Sequence, residues 1–138
     1  MMNHCRTHRQ VALLVVIAAL LVGRMANADA VTDWNVKAGE IVVAAKLGTP
    51  PANRVLAIVQ TAVYEATNAI TGQPASGASF ESTPDASVEA AIAAANRVTL
   101  AKLVPSQQAA VDAAYQDALA VLTDGPAKSA GIAAGDKA

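Results

Sequence analysis

The polar side chains between residues 49 and 72 are the first candidates for a reactive site, because arginine, glutamate and asparagine can bind anions or transfer protons. On a helix, Arg54 and Glu65 would lie about 16 Å apart, since each residue advances the axis by about 1.5 Å. They are therefore too far apart to act as an acid–base pair. Glu65 and Asn68 would be neighbours at i, i+3. Together with Thr61, these residues predict a solvated face or a contact with another segment, not a catalytic site.

The N-terminus has the three parts of a secretory signal peptide. A basic segment with Arg6 and Arg9 and no acid precedes an apolar run at 11–22, and Ala26-Asn27-Ala28 has the small-x-small pattern of a cleavage site. The alternative is a membrane anchor, but a spanning helix needs about 20 apolar residues. Because the two arginines are not adjacent, the twin-arginine route is not expected. We predict a signal peptide at 1–28 and export of the remainder to the periplasm or the medium.

Cleavage after Ala28 would remove every histidine and cysteine, since His4, Cys5 and His8 all precede it. The mature chain, 29–138, would then lack the usual general base, histidine metal ligands, a thiol nucleophile and any disulfide. It also lacks the close pair of acids that carboxylate hydrolysis needs. We therefore expect no catalytic, cofactor-binding or metal-binding residue in this chain.

The composition of the mature chain bounds its partners and its core. Seven basic residues against eleven acidic ones give a net charge of −4, with no basic patch that would favour nucleic acid. The full sequence is 54% hydrophobic but only 3% aromatic, and alanine supplies much of the apolar fraction. We expect one domain with a thin core and close helix–helix contacts.

Five stretches of the mature chain have the apolar spacing of helices, so we predict an all-α fold, a small bundle of four to five helices. The first is expected to begin at a cap at Thr32 or Asp33 and to end at Gly48. Trp34, the only tryptophan, is predicted to be a core or interface anchor, with a ligand-stacking surface as the alternative. The predicted apolar face consists of Trp34, Ala38, Ile41, Val42 and Ala45.

The strongest helical pattern covers residues 49–72 and is predicted to be the core helix around which the others pack. Thr49 can cap it, Pro50 suits its first turn and Gly72 suits its C-terminal end. The predicted buried face consists of Val55, Val59, Ala62, Val63, Ala66 and Ile70. The predicted opposite face consists of Arg54, Thr61, Glu65 and Asn68.

Residues 72–86 are rich in serine, glycine and proline and predict a surface loop, with Phe80 packed back as an anchor. Ser87 is expected to cap a third helix, Val88 to about Leu103. The alanine run of this helix gives it no dominant apolar face, so we predict burial on several sides or close packing by alanine.

A fourth helix is predicted after the turn at Pro105, and a fifth after Pro126, with Asp124 as a possible cap. The fifth pattern continues to Ala138 without a stop signal, so we expect the chain to end inside an element. The predicted apolar face of the fourth helix consists of Val111, Ala114, Tyr115, Ala118, Leu119 and Leu122.

Five segments are distributed along nearly the whole mature chain: Trp34-Asn35, 57–70, Asn96-Arg97-Val98, Leu103-Val104-Pro105 and 124–135. In this order they resemble the N-terminal helical region of bacterial vanadium-dependent haloperoxidase-like proteins, within the wider type 2 phosphatidic acid phosphatase superfamily. Gln60 and Glu65 stand where members of that family often have histidine and aspartate.

The resemblance implies an all-helical protein in which Lys, Arg and His from motifs further along the chain bind vanadate or phosphate. It carries no catalytic residue over to this chain. It implies that 29–138 is a truncated N-terminal helical scaffold without catalytic activity of its own, which packs on a missing C-terminal helical domain or on another subunit. The alternative is a small exported helical protein that binds a partner or stabilises a complex. Neither requires a membrane after signal cleavage.

Overall fold

The computed structural model of the protein describes residues 25–72 and 85–138. Most of the predicted signal peptide, and Phe80 with its predicted packing, therefore lie outside the described residues. The described part is 85% helical and contains no strand, which confirms the predicted all-α class. Its helices are α1 (Met25–Ala44), α2 (Thr49–Thr71), α3 (Val88–Leu103), α4 (Gln108–Ala120) and α5 (Pro126–Lys137), with a 3₁₀ turn at Pro105–Gln107 before α4. No helix within these residues is both long enough and apolar enough to cross a membrane.

The helix at the centre of the bundle is α3, and the prediction that α2 would take that position is wrong. All four other helices pack on α3. Every residue from 90 to 96 is buried, and so is Leu100. Ile92 and Leu100 have the largest of the fully buried side chains. Short alanine side chains allow neighbouring helices to approach α3 from every side, because interaxial distance depends on the side chains at the contact. This confirms the predicted burial of the third helix on several sides.

The predicted apolar face of α2 is confirmed, since all six of its residues are buried. The C-terminal end is also as predicted, because Gly72 takes the left-handed conformation (φ 70°) and donates its N–H to the carbonyl of Asn68. The expected exposure of Asn68 is wrong, because this residue is only 7% exposed. Here α2 buries a wider arc than one stripe, with Asn68, Ala69 and Ile70 all inside, since α1, α3 and α5 all contact this helix.

The predicted ends of the first helix are both wrong. Its structure extends back to Met25, so Thr32 and Asp33 lie in its interior, because no glycine or proline between 25 and 31 stops helix propagation. At the other end α1 stops at Ala44 and not at Gly48. The residue that takes the left-handed conformation after it is Lys46 (φ 55°).

Two other caps also differ from prediction. Gly48 is extended and precedes the first residue of α2, so Thr49 is helical and makes no cap. Gly125, not Asp124, is the residue before α5. Ser87 caps α3 as predicted, because its Oγ accepts a hydrogen bond from the Ala90 N–H at 3.1 Å. Threonine and aspartate cap well only where the preceding turn aims the side chain at free amides, and local sequence does not fix that direction.

Helix α4 buries four of the six residues predicted for its apolar face, while Ala118 and Leu122 are half-buried and Leu122 lies beyond the helix end. The end of α4 is held by Lys128 of α5. Its Nζ donates to the Leu119 carbonyl and to Asp124 Oδ1, both at 2.8 Å. A cation near the free carbonyls of a helix C-terminus is stabilising, so this contact joins α4 to α5.

Two glycines bring α5 unusually close to α3. A Cβ at Gly131 would lie 2.2 Å from the Ser87 carbonyl oxygen, and a Cβ at Gly135 would lie 2.3 Å from the Ala91 carbonyl oxygen. Gly131 and Gly135 are four residues apart and therefore lie on the same side of α5. Only a residue without a side chain fits at either position.

Candidate binding groove

The polar residues predicted on α2 do not form a site together. Arg54 and Thr61 are exposed, Glu65 is half-buried and Asn68 is buried. The Thr61 hydroxyl donates to the Ala57 carbonyl of its own helix. No cluster of three His, Cys, Asp or Glu side chains with the geometry of a metal site occurs among residues 25–72 and 85–138.

Three buried polar atoms have no hydrogen-bond partner within the described part of the chain: Glu65 Oε2, Asn68 Nδ2 and Asn96 Oδ1. Asn96 is completely buried on α3, and its Nδ2 donates to the Ile92 carbonyl at 2.8 Å. A buried polar atom without a partner costs free energy. The apolar periodicity predicted neither asparagine in the core, because it identifies one stripe of a helix, whereas α2 and α3 are each contacted on several sides.

A side-chain hydrogen bond joins α1 to α2. Gln60 of α2 donates from its Nε2 to Asn35 Oδ1 of α1. Both residues are exposed, so this bond lies on the surface between the two helices. Asn35 follows Trp34, which is only 4% exposed and confirms the prediction of a core anchor.

A groove runs between α1 and α4, because both helices pack on α3 but scarcely touch each other. The groove consists of two adjoining parts, with volumes of about 510 Å³ and about 350 Å³. The two parts share Lys37, Ala114 and Asp117, so they form one groove. Along α1 it extends from Ala30 to Ala44, about 21 Å at 1.5 Å per residue.

The walls of the groove are mainly apolar and made of small side chains. Trp34 is part of the lining, and Val121, just beyond α4, is 83% exposed at one end of the groove. The remaining apolar lining consists of Ala30, Ile41, Ala44, Ala110, Ala113, Ala114, Ala118 and Leu122. No stripe on a single helix predicts this surface, because it combines residues from two helices far apart in sequence.

The charged residues around the groove are mostly acidic. Asp33, Glu40 and Asp117 are exposed, Glu89 is half-buried, and Lys37 is the only basic residue in the lining. Within the described residues none of these four carboxylates forms an ion pair. The groove is therefore an apolar trough with an unneutralised negative rim.

A second group of polar contacts joins α3 to α4. Arg97 lies over the ring of Tyr115, with its Cζ 4.9 Å from the ring centroid, and its Nε donates to Asp112 Oδ1 at 3.2 Å. The hydrogen bond from Gln108, with a further contribution from Arg97, lowers the pKa of the Asp112 carboxyl. Burial raises the pKa of the Tyr115 hydroxyl. These side chains satisfy one another, so the group is best explained as a contact between two helices.

No protein-family model, curated protein or solved structure matches this chain. Among the described residues, the groove between α1 and α4 has the clearest capacity to bind. Its lining can take up an apolar surface, and its rim favours positive charge.

Proposed function

We propose that this chain is the N-terminal helical scaffold of an exported protein of the vanadium-dependent haloperoxidase-like or type 2 phosphatidic acid phosphatase kind. In this role it supplies packing surface and no catalytic group. Vanadate or phosphate would bind to residues of a C-terminal part outside this chain. The scaffold would pack on that part or on another subunit.

The observation that carries the proposal is the contact between the segments on which the resemblance rests. Trp34-Asn35 and residues 57–70 belong to different helices, yet Gln60 donates to Asn35 beside the buried Trp34. Part of the core comes from five apolar residues of 57–70, which are Val59, Ala62, Val63, Ala66 and Ile70. Their helix, α2, contacts α1, α3 and α5. A series of segments that pack together is better support for a shared architecture than the same segments scattered over the surface.

The groove favours a second candidate function, that of a small exported helical protein which binds a partner. An apolar groove between two helices is a surface to which a helix of another protein can bind. Sequencing of the encoding DNA beyond the Ala138 codon distinguishes the two functions. Downstream Lys/Arg and Ser-Gly-His motifs in the same frame support the scaffold, and a stop codon with a stably folded product supports the partner-binding protein.

We predict that export removes residues 1–28. The cleavage site at Ala26-Asn27-Ala28 follows the apolar run at the spacing that signal peptidases use. Mass spectrometry of exported protein should therefore give Asp29 as the first residue. A chain that keeps Met1 and stays in the membrane fraction would show that the segment is an anchor.

We also predict that the purified exported chain neither oxidises bromide in the presence of peroxide and vanadate nor hydrolyses a phosphomonoester. The reason is that residues 29–138 contain no histidine to bond vanadium or accept a phosphoryl group. Both activities are measured against the same sample after heat treatment. Turnover above that control, if it survives a second purification, would refute the scaffold role.

A further inference from the structure

The length, the lining and the charge of the groove between α1 and α4 together indicate what kind of ligand it can bind. We infer that it binds an amphipathic α-helix whose apolar stripe is flanked by lysine or arginine. The inference rests on the proposed role of the chain as a packing surface, and it specifies where the packing occurs and with what chemistry.

The shape of the groove fits one helix. Its length of about 21 Å corresponds to about 14 helical residues. Two helices that pack on a third but scarcely touch each other leave a groove in which another helix can lie, with its ridge of side chains between theirs. Alanine on both walls permits close approach, and an apolar stripe at i, i+3, i+4 and i+7 spacing is the usual means by which a helix binds such a groove.

The rim selects the charge of that helix. Asp33 and Glu40 project from α1 and Asp117 from α4, on opposite walls, so a bound helix would have carboxylates along both of its edges. Lys37 alone opposes them. An acidic helix would place like charges beside these groups, whereas lysine or arginine on both flanks would pair with them. Such pairing raises association rate and specificity and weakens with salt.

The only tryptophan of the chain reports occupancy of the groove, because Trp34 lines it and no other residue contributes to tryptophan fluorescence. The probe is a synthetic helical peptide without tryptophan, with leucine along one stripe and lysine on both flanks. Titrated into the purified exported protein, it should give a saturable change in Trp34 emission. A peptide with glutamate in place of each lysine should give none, and binding of the lysine peptide should fall at least about tenfold at high salt.

Variants locate the binding surface. Asp117→Lys should weaken binding by about tenfold or more, and Ala110→Phe should block the groove, since Ala110 is exposed on its wall. Asp136→Lys makes the same charge change on an exposed residue of α5 outside the groove. The protein with this substitution should bind the lysine peptide as well as the parent does. Far-UV circular dichroism establishes that all three variants remain folded.

The inference is overturned if the folded protein shows no emission change with the lysine peptide, or if the glutamate peptide binds equally well. It is also overturned if Asp136→Lys weakens binding as much as Asp117→Lys. None of these results would refute the scaffold role, because the activity assay and the downstream DNA sequence test that role independently of the groove. Turnover in the activity assay, in contrast, would refute the scaffold role whatever the peptide does.

Discussion

Replacement of Gly135 by alanine should lower the free energy of unfolding by about 1–3 kcal/mol, which is the usual cost of overpacking a core. The new Cβ would stand 2.3 Å from the Ala91 carbonyl oxygen, 2.7 Å from the Ala94 Cβ and 2.9 Å from the Ala95 nitrogen. Two of these atoms belong to the backbone of the central helix and cannot rotate away. Helix α5 must therefore move off α3, and we expect a loss of helical circular dichroism and an earlier urea midpoint.

The matched control for this substitution is Gly39→Ala. Gly39 also lies inside a helix, but a Cβ there would meet no heavy atom within 4 Å. Alanine in a helix interior is favoured over glycine by about 0.5–1 kcal/mol, so this variant should be as stable as the parent or slightly more stable. If Gly135→Ala and Gly39→Ala change stability in the same direction, the close approach of α5 to α3 is incorrect.

Val63→Asp should lower the free energy of unfolding by several kcal/mol and remove most of the helical structure of the bundle. Val63 is 5% exposed in the middle of α2, within the hydrophobic core of the bundle. An isolated carboxylate is strongly disfavoured in apolar surroundings. We expect the purified variant to show little helical signal and to bind a dye that reports exposed apolar surface.

Val121→Asp introduces the same side chain at a valine that is 83% exposed. A surface substitution of this kind usually changes stability by about 0.5 kcal/mol or less. Comparable loss of helix in the two variants would mean that Val63 is not in a packed core.

Local periodicity was sufficient to predict a bundle of four to five helices, of which the described residues contain five, and the buried face of α2. The valines and alanines of that face recur at 3.6-residue spacing, and burying them is the dominant favourable contribution to folding. The same reasoning failed for Asn68, since a helix contacted on several sides buries more than its most apolar stripe. Periodicity describes one face, whereas burial depends on how many neighbours a helix has.

The central position of α3 could be predicted only in part. Its alanine run indicated burial on several sides, but the sequence ranked α2 as the organising helix because larger side chains give a stronger pattern. What places α3 at the centre is close approach by its neighbours, above all α5 through Gly131 and Gly135. Two glycines four residues apart indicate that such an approach is possible, without identifying the helix that makes it.

The groove could not be predicted from local patterns. Ala30 and Leu122 are far apart in the sequence and line the same part of the groove only because α1 and α4 both pack on α3. Its acidic rim combines carboxylates from different helices. On each helix taken alone, these carboxylates look like part of an ordinary solvent-exposed face. A site formed between helices that are distant in sequence requires the tertiary arrangement.

Urea unfolding of residues 29–138, followed by far-UV circular dichroism, tests the central proposal that this bundle is a scaffold completed by a further helical element. Native single domains are stable by about 5–15 kcal/mol. Because alanine contributes much of the core and the groove leaves apolar surface uncovered, we predict a lower value for this chain. The predicted result is a free energy of unfolding below that range, with helix lost at low urea and apolar surface of the groove accessible to a dye. A cooperative transition with a free energy of unfolding well inside the native range would contradict the proposal.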